Sequence, residues 1–235
     1  MTTDPRVGVA DVQQKIMALL KQHGELTMAE IADYLNVSYE AVRQQVNTLV
    51  ASKLVERSER PNPSGTGRPL RYYSLTPGGD HLFPKNYDEL AVELIDAIGG
   101  TLGTDGLRRV LGALTDEQVA RWEPRLAGKD LAERLHALRD IYIEHDPFTG
   151  VSQENGDLAL IERNCPFLNV ASKRPALCSV TVRVLSRLLG YQVTRTERFQ
   201  NGDGRCVFHV HMDRPLQSDE FRFESETEES TPATK

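Results

Sequence analysis

The sequence predicts an α+β protein: an N-terminal winged helix–turn–helix, a helical linker or dimerisation region, and a small α+β C-terminal domain carrying a β-hairpin. Three observations predict it. Apolar residues recur at helical spacing over residues 12–50, a Pro/Gly-rich tip between strand-like runs follows at 54–75, and all three cysteines fall in the last third. At 235 residues the chain can hold two small domains with separate cores. The expected boundaries are 1–82 for the winged helix, 83–144 for the helical region, 145–213 for a cysteine-containing sensor domain and 214–235 for an acidic disordered tail.

Val12, Ile16, Leu19 and Leu20 form the stripe of a first amphipathic helix, closed by Lys21-Gln22-His23-Gly24. Thr27-Met28-Ala29-Glu30 matches a capping box and opens a short helix through Ile31 and Leu35. Ser38 is a good N-cap for a third helix with Val42, Val46, Leu49 and Val50 on one face. Two short helices joined by a tight turn follow helix–turn–helix grammar. A strand from Leu54, the tip RPNPSGTGRP and the return LRYYSLT then read as a basic wing.

Candidate DNA contacts follow from that order. Ser38, Tyr39, Arg43, Gln44 and Asn47 lie on the polar side of the third helix, where Arg suits guanine and Gln or Asn suits adenine. Arg60, Arg68 and Arg71 of the wing are placed for phosphates or a minor groove. Without a wing, the same helix face would read as ordinary solvated surface. The net charge of −6 does not oppose this, because residues 35–75 carry six Lys/Arg against three Asp/Glu.

Residues 87–143 read as three helical runs, Tyr87 to Ile98, Thr101 to Leu114, and Thr115 onward, with Thr115-Asp116-Glu117-Gln118 as a second cap match. Leu131, Leu135 and Leu138 recur at helical spacing, suited to interdomain packing or to the dimer interface that a reader of symmetric operators needs. HDPFTGVSQENG reads as a turn-rich linker. Pro175 opens a helix that Gly190 ends, and YQVTRTERF and RCVFHVHM flank Asn201-Gly202-Asp203-Gly204, a strong hairpin signal. The last residues, 214–235, are acidic and poor in apolar side chains.

Cys165 therefore falls in a loop or helix end, Cys178 on a helix and Cys206 at the start of a strand. Gaps of twelve and twenty-seven residues fit neither a CxxC zinc finger nor a disulfide framework. Soft thiolates select zinc, copper(I) or iron–sulfur clusters, whereas three buried structural thiols are the plain alternative. A fourth donor is not fixed. His209 and His211 alternate to the strand face opposite Cys206, and Glu197, Glu162 and Asp203 are the nearby oxygen donors. No Ser/His/Asp set, carboxylate pair or phosphate loop marks an enzyme. The N-terminus lacks a secretory pattern and the apolar runs are short, so a cytoplasmic, reduced protein without membrane association is expected.

GTGRPLRYYSLTPGGDHLFPKNYDEL resembles the wing and following segment of the SufR group, winged-helix repressors of iron–sulfur assembly genes related to the DeoR and ArsR-type regulators. ERNCPF, the spacing to PALC, and GDGRCVFHV are similar to that group's cluster-binding domain, so the resemblance spans residues 8–212. It implies a homodimer on a pseudo-palindromic double-stranded operator, with one iron–sulfur cluster per subunit on Cys165, Cys178 and Cys206. The holo form would repress suf-type operons, and 4Fe–4S is favoured over 2Fe–2S. Some members carry a further cysteine between the second and last positions, where SVTVRVLSRLLGYQVTRTERFQNGDG has none. Two alternatives stand beside it: a zinc or thiol-redox winged-helix regulator, and a small-molecule-binding regulator with incidental cysteines.

Overall fold

The apolar stripe of the first helix sets the N-terminal architecture. In the computed structural model, which describes residues 10–62, 69–154 and 157–228, the chain divides into two units, Met1–Asn86 and Tyr87–Lys235. Helix α1 (Asp11–His23) buries Ile16, Met17 and Leu20 and ends at Gly24, whose φ of 81° favours glycine. A short strand β1 (Glu25–Leu26) leads into α2 (Met28–Leu35). Its capping box forms in both directions, with Glu30 N–H donating to Thr27 Oγ1 (3.2 Å) and Thr27 N–H to Glu30 Oε2 (2.7 Å). Asn36 closes α2 in the left-handed region, and Ser38 caps α3 (Tyr39–Ala51) by accepting from Ala41 N–H at 3.2 Å.

Val42, Val46 and Leu49 of α3 are fully buried against α1 and α2. Strands β2 (Val55–Arg60) and β3 (Leu70–Leu75) form the antiparallel wing, and β1 completes a sheet of order β1-β3-β2. Helix α4 (Pro77–His81) docks so closely that a Cβ on Gly79 would lie 2.0 Å from the Leu54 carbonyl oxygen. Leu82 and Phe83 pack on the same core, so this unit runs to Asn86 and not to residue 82.

The second unit begins with α5 (Tyr87–Leu126), interrupted at Gly103, where φ 68° and ψ −175° break the helical path. This corrects the expected start at Thr115. Thr115 is buried inside α5, and its hydroxyl donates back to the Leu111 carbonyl at 3.0 Å instead of capping. The real cap is Asp130, which pairs reciprocally with Glu133 to open α6 (Leu131–Tyr142). Nor is the helical region a separate linker. Leu111, Leu126, Leu135 and Leu138 share one core with Leu160, Leu185 and Phe208 of the cysteine-bearing part.

The segment expected as linker also folds. Strands β4 (Gly150–Glu154) and β5 (Asp157–Glu162) pair antiparallel, and Asp146 fixes the approach by accepting from Phe148, Arg163 and Asn164 N–H at 2.9, 2.6 and 3.0 Å. Helix α7 (Leu168–Lys173), a 3₁₀ turn at Pro175–Leu177 and α8 (Cys178–Leu189) follow. Strands β6 (Tyr191–Glu197) and β7 (Cys206–Pro215) form the expected hairpin within a sheet of order β4-β5-β7-β6. No described helix is long and apolar enough to cross a membrane.

The acidic tail is the largest correction. Phe221 and Phe223 are buried in the second core, meeting edge to face at 5.7 Å, and α9 (Glu224–Glu228) follows them. Buried Arg183 donates to the carbonyls of Ser218 (2.8 Å) and Glu220, and Arg108 holds Glu226 through two 2.7 Å bonds. Low apolar content hid two well-placed aromatics. Residues 229–235 of the expected tail lie outside the described residues.

Phe221→Ala is expected to lower the unfolding free energy by about 3 kcal/mol in urea titrations followed by Trp122 emission. A disordered tail would give a change within about 0.5 kcal/mol, the scale of surface substitutions.

Candidate functional site

Two sites emerge, one in each unit. In the first, α3 and the wing border a groove of about 600 Å³ lined by Tyr39, Arg43, Asn47, Arg57 and Arg71. Tyr39, Arg43 and Asn47, spaced by four residues, are exposed along one flank of α3 beside the buried Val42 and Val46. Gln44 is exposed on the same helix but is not part of the groove lining. The Ser38 hydroxyl is engaged by the Ala41 N–H, so its established work is capping.

The arginines differ in how they are held. Arg43 makes two bonds to Glu40 (2.8 and 2.5 Å), which draw the exposed Glu40 carboxyl below its usual range. Arg60 bonds Glu25 at 2.8 Å and lies over the Tyr72 ring at 5.2 Å, tying the wing to β1. Arg71 pairs with Glu59 across the wing at 2.9 Å. Arg57, opposite Tyr73 in the β2–β3 ladder, has no ion pair among the described residues and lines the groove. Sequence reading missed it because VERSER offers alternating charges with no motif. Arg68 lies outside the described residues.

The second site gathers the three cysteines. Cys165 sits in the loop between β5 and α7, Cys178 is the first residue of α8, and Cys206 is the first of β7. All three line one small cavity of about 30 Å³. Antiparallel pairing places Glu162 of β5 directly opposite Cys206 of β7, and Glu162 is 6% exposed on the same cavity. That selects among the oxygen donors. Glu197 pairs with Arg205 at 2.5 and 2.8 Å, and Asp203 accepts from Arg198 N–H at 2.8 Å; neither lines the cavity. His211 bonds Thr194 at 2.8 Å and stacks edge-on with His209, also away from it.

Arg195 of β6 is the residue that sequence reading missed. It is buried, and its Nη1 donates to Cys206 Sγ at 3.8 Å and to Gln200 Oε1 at 3.3 Å, while Gln200 Nε2 donates to Cys178 Sγ at 3.3 Å. From the other side the Glu224 carboxylate takes two bonds from Arg195, at 3.0 and 2.8 Å. Burial works against this guanidinium's charge, but Cys178, Glu224 and Cys206 outweigh it and hold the proton more firmly. Glu224 in an acidic C-terminal run gave no signal, since its partner lies on a distant strand.

The same burial acts on the acids. The Glu162 carboxyl is pushed up to about 7 by burial and by Asp146, against Arg195 and a hydrogen bond with Cys165. The Cys165 thiol is pushed up to about 12 by burial and Glu162, and burial raises Cys206 as well. Without a ligand these two thiols stay protonated at neutral pH, and any soft metal must displace their protons. Among the described residues, no three His, Cys, Asp or Glu side chains converge as one metal ion requires. A cluster, in contrast, takes each thiolate on a separate iron.

Helix–turn–helix, wing and basic groove define a winged-helix DNA-binding transcription regulator. Residues 8–64 match the family model described as MarR family, which covers only the N-terminal unit. The crystal structure of Bacillus subtilis PadR in complex with operator DNA aligns over 76% of this chain and 98% of that one. Its 15% identity and TM-score of 0.28 are too slight a likeness to bear on function. No curated protein matches the chain significantly.

Arg43→Ala is expected to cost about 1–3 kcal/mol on a specific operator and little on random duplex. Arg57→Ala should weaken both alike and reduce the salt slope by about 1. Equal losses on both duplexes for Arg43→Ala would remove it from base reading.

Proposed function

We propose that the chain is an iron–sulfur-dependent transcriptional repressor of suf-type assembly genes, acting as a homodimer on a pseudo-palindromic operator. The observation that carries this reading is the meeting of Cys165, Cys178 and Cys206, from a loop, a helix start and a strand, at one cavity. The resemblance of ERNCPF, PALC and GDGRCVFHV to the SufR group points the same way.

The donor set fits a cluster. Three soft thiols surround a single cavity, and Glu162 offers an oxygen donor for a fourth position. Arg195 and Gln200 supply the hydrogen bonds to sulfur that such sites use to set potential and stability. Arg195 also compensates the negative charge that deprotonated thiols bring into a buried site. When bound, an iron–sulfur cluster supplies a centre sensitive to oxidation and to iron supply. The three cysteines then act as a clasp between the Cys165 loop, α8 and β7, because their holding atoms must stay at one place together. Both 4Fe–4S and 2Fe–2S fit these ligands, with the former favoured by the resemblance.

A reader of a two-fold operator needs a two-fold protein. Tyr87, Leu90 and Leu94 recur at i, i+3 and i+7 along the first part of α5 and are 67%, 54% and 54% exposed. An apolar helical stripe left open suits pairing with the same stripe of a second copy.

Anaerobic purification with iron and sulfide analysis tests the reading. The wild-type chain should carry both with visible absorption, and each of Cys165→Ser, Cys178→Ser and Cys206→Ser should lose most of the iron while keeping the helical circular dichroism. Zinc in place of iron, or full iron in all three variants, would contradict it.

A further inference from the structure

The DNA-reading helix α3 carries an acid in its first turn. Glu40 lies three residues before Arg43, and the two side chains are 59% and 48% exposed. A carboxylate brought near a duplex repels its phosphates, so an acid at this place weakens binding unless something offsets it. The geometry of the pair supplies the offset. Glu40 Oε2 accepts from Arg43 Nε at 2.8 Å and Glu40 Oε1 accepts from Nη2 at 2.5 Å, a side-on grip by both oxygens. A guanidinium has five N–H groups, and this grip uses one on Nε and one on Nη2. The two on Nη1 and the second on Nη2 remain. They form the end of the fork, an edge that can meet guanine O6 and N7 together.

The neighbouring arginines are held differently. Arg60 gives its fork end to Glu25, through Nη2 at 2.8 Å and Nη1 at 2.5 Å, and is tied to β1. Arg71 makes a bond to Glu59 through Nε, and Arg57 pairs with no acid among the described residues. Glu30, the acid that lines the groove, is committed to the N–H and hydroxyl of Thr27 at 2.7 and 2.8 Å. Arg43 alone among these groove and wing arginines has one edge fixed by two bonds and its fork end unengaged by any described residue.

Two kinds of DNA contact use this pair differently. A guanine can take the fork end with the Glu40 grip intact, so Arg43 meets the base already oriented and Glu40 keeps its partner. A phosphate instead competes with Glu40 for Arg43. Exchanging an exposed pair is cheap in itself, but it leaves Glu40 as an unpaired carboxylate beside the backbone. We propose that Glu40 is a specificity-determining residue of the DNA-reading face, positioning Arg43 for guanine and disfavouring its use as a general phosphate contact. The inference rests on winged-helix DNA binding and is independent of the iron–sulfur reading.

Full-length wild-type protein would select a duplex from a randomised pool. Wild type, Glu40→Gln, Arg43→Ala and the double variant would then be titrated by fluorescence anisotropy on that duplex and on a random one of equal length, over a salt series. Glu40→Gln should lower the ratio of selected to random affinity at least fivefold, mainly by tightening the random duplex, and steepen the salt slope there by about 1. It should also flatten the preference at the base pair that Arg43→Ala ceases to read. In the Arg43→Ala background the same change should leave the ratio within twofold, because Glu40 acts through Arg43. Both substitutions are at exposed positions, and circular dichroism melts should match wild type. A ratio unchanged by Glu40→Gln, with both duplexes tightening alike, would make Glu40 a general repulsive charge and overturn the proposal. An equal fall in the Arg43→Ala background would mean that Glu40 reads DNA itself, and would overturn it as well.

Discussion

The second unit depends above all on one of its two buried arginines. Arg195 is 6% exposed, and a guanidinium withdrawn from water costs several kcal/mol unless its charge and its hydrogen-bond donors are met. Glu224 meets the charge with two bonds, Gln200 takes another, and Cys206 Sγ accepts the longest. Those partners come from the C-terminal segment, the turn after β6 and the start of β7. None of these pieces can leave without stranding the charge, so one ion pair makes the hairpin, the cysteine cavity and the returning chain mutually dependent. Glu224 N–H is in turn fixed by the Ser179 hydroxyl at 2.9 Å, one residue beyond Cys178.

The N-terminal unit is organised on a different principle. Its core is apolar and its charges are exposed pairs such as Arg43 with Glu40 and Arg71 with Glu59, each worth little in water. Such pairs exchange cheaply for phosphates, which is what a DNA-reading face requires. The second unit therefore buries Arg195 beside the cysteine cavity, while the first keeps its charges in readily exchanged surface pairs.

This contrast also explains what was legible in the sequence. Thr27, Glu30, Ser38 and the stripe Val42, Val46 and Leu49 act over three to four residues, so local pattern sufficed and the winged helix was read in order. The hairpin around Asn201-Gly202-Asp203-Gly204 was legible for the same reason. Thr115 misled because a capping pattern inside a continuing helix is indistinguishable from one at its start until the packing of Leu111 is known. The strand at 150–154 escaped because GVSQE carries a single large apolar residue and its partner strand supplies the burial. Glu162, Arg195 and Glu224 were legible only in part or not at all. Their meaning lies in a cross-strand register and in a contact between residues twenty-nine apart, neither of which leaves a periodic trace.

The central claim is that the occupancy of the cysteine cavity governs DNA binding by the winged helix. It is tested most directly by titrating iron-loaded and metal-free dimers against the same operator, anaerobically and at matched salt. The account predicts that removing the metal weakens binding at least tenfold, a coupling of about 1.4 kcal/mol. Indistinguishable affinities would contradict it and leave the cysteines a structural clasp alone.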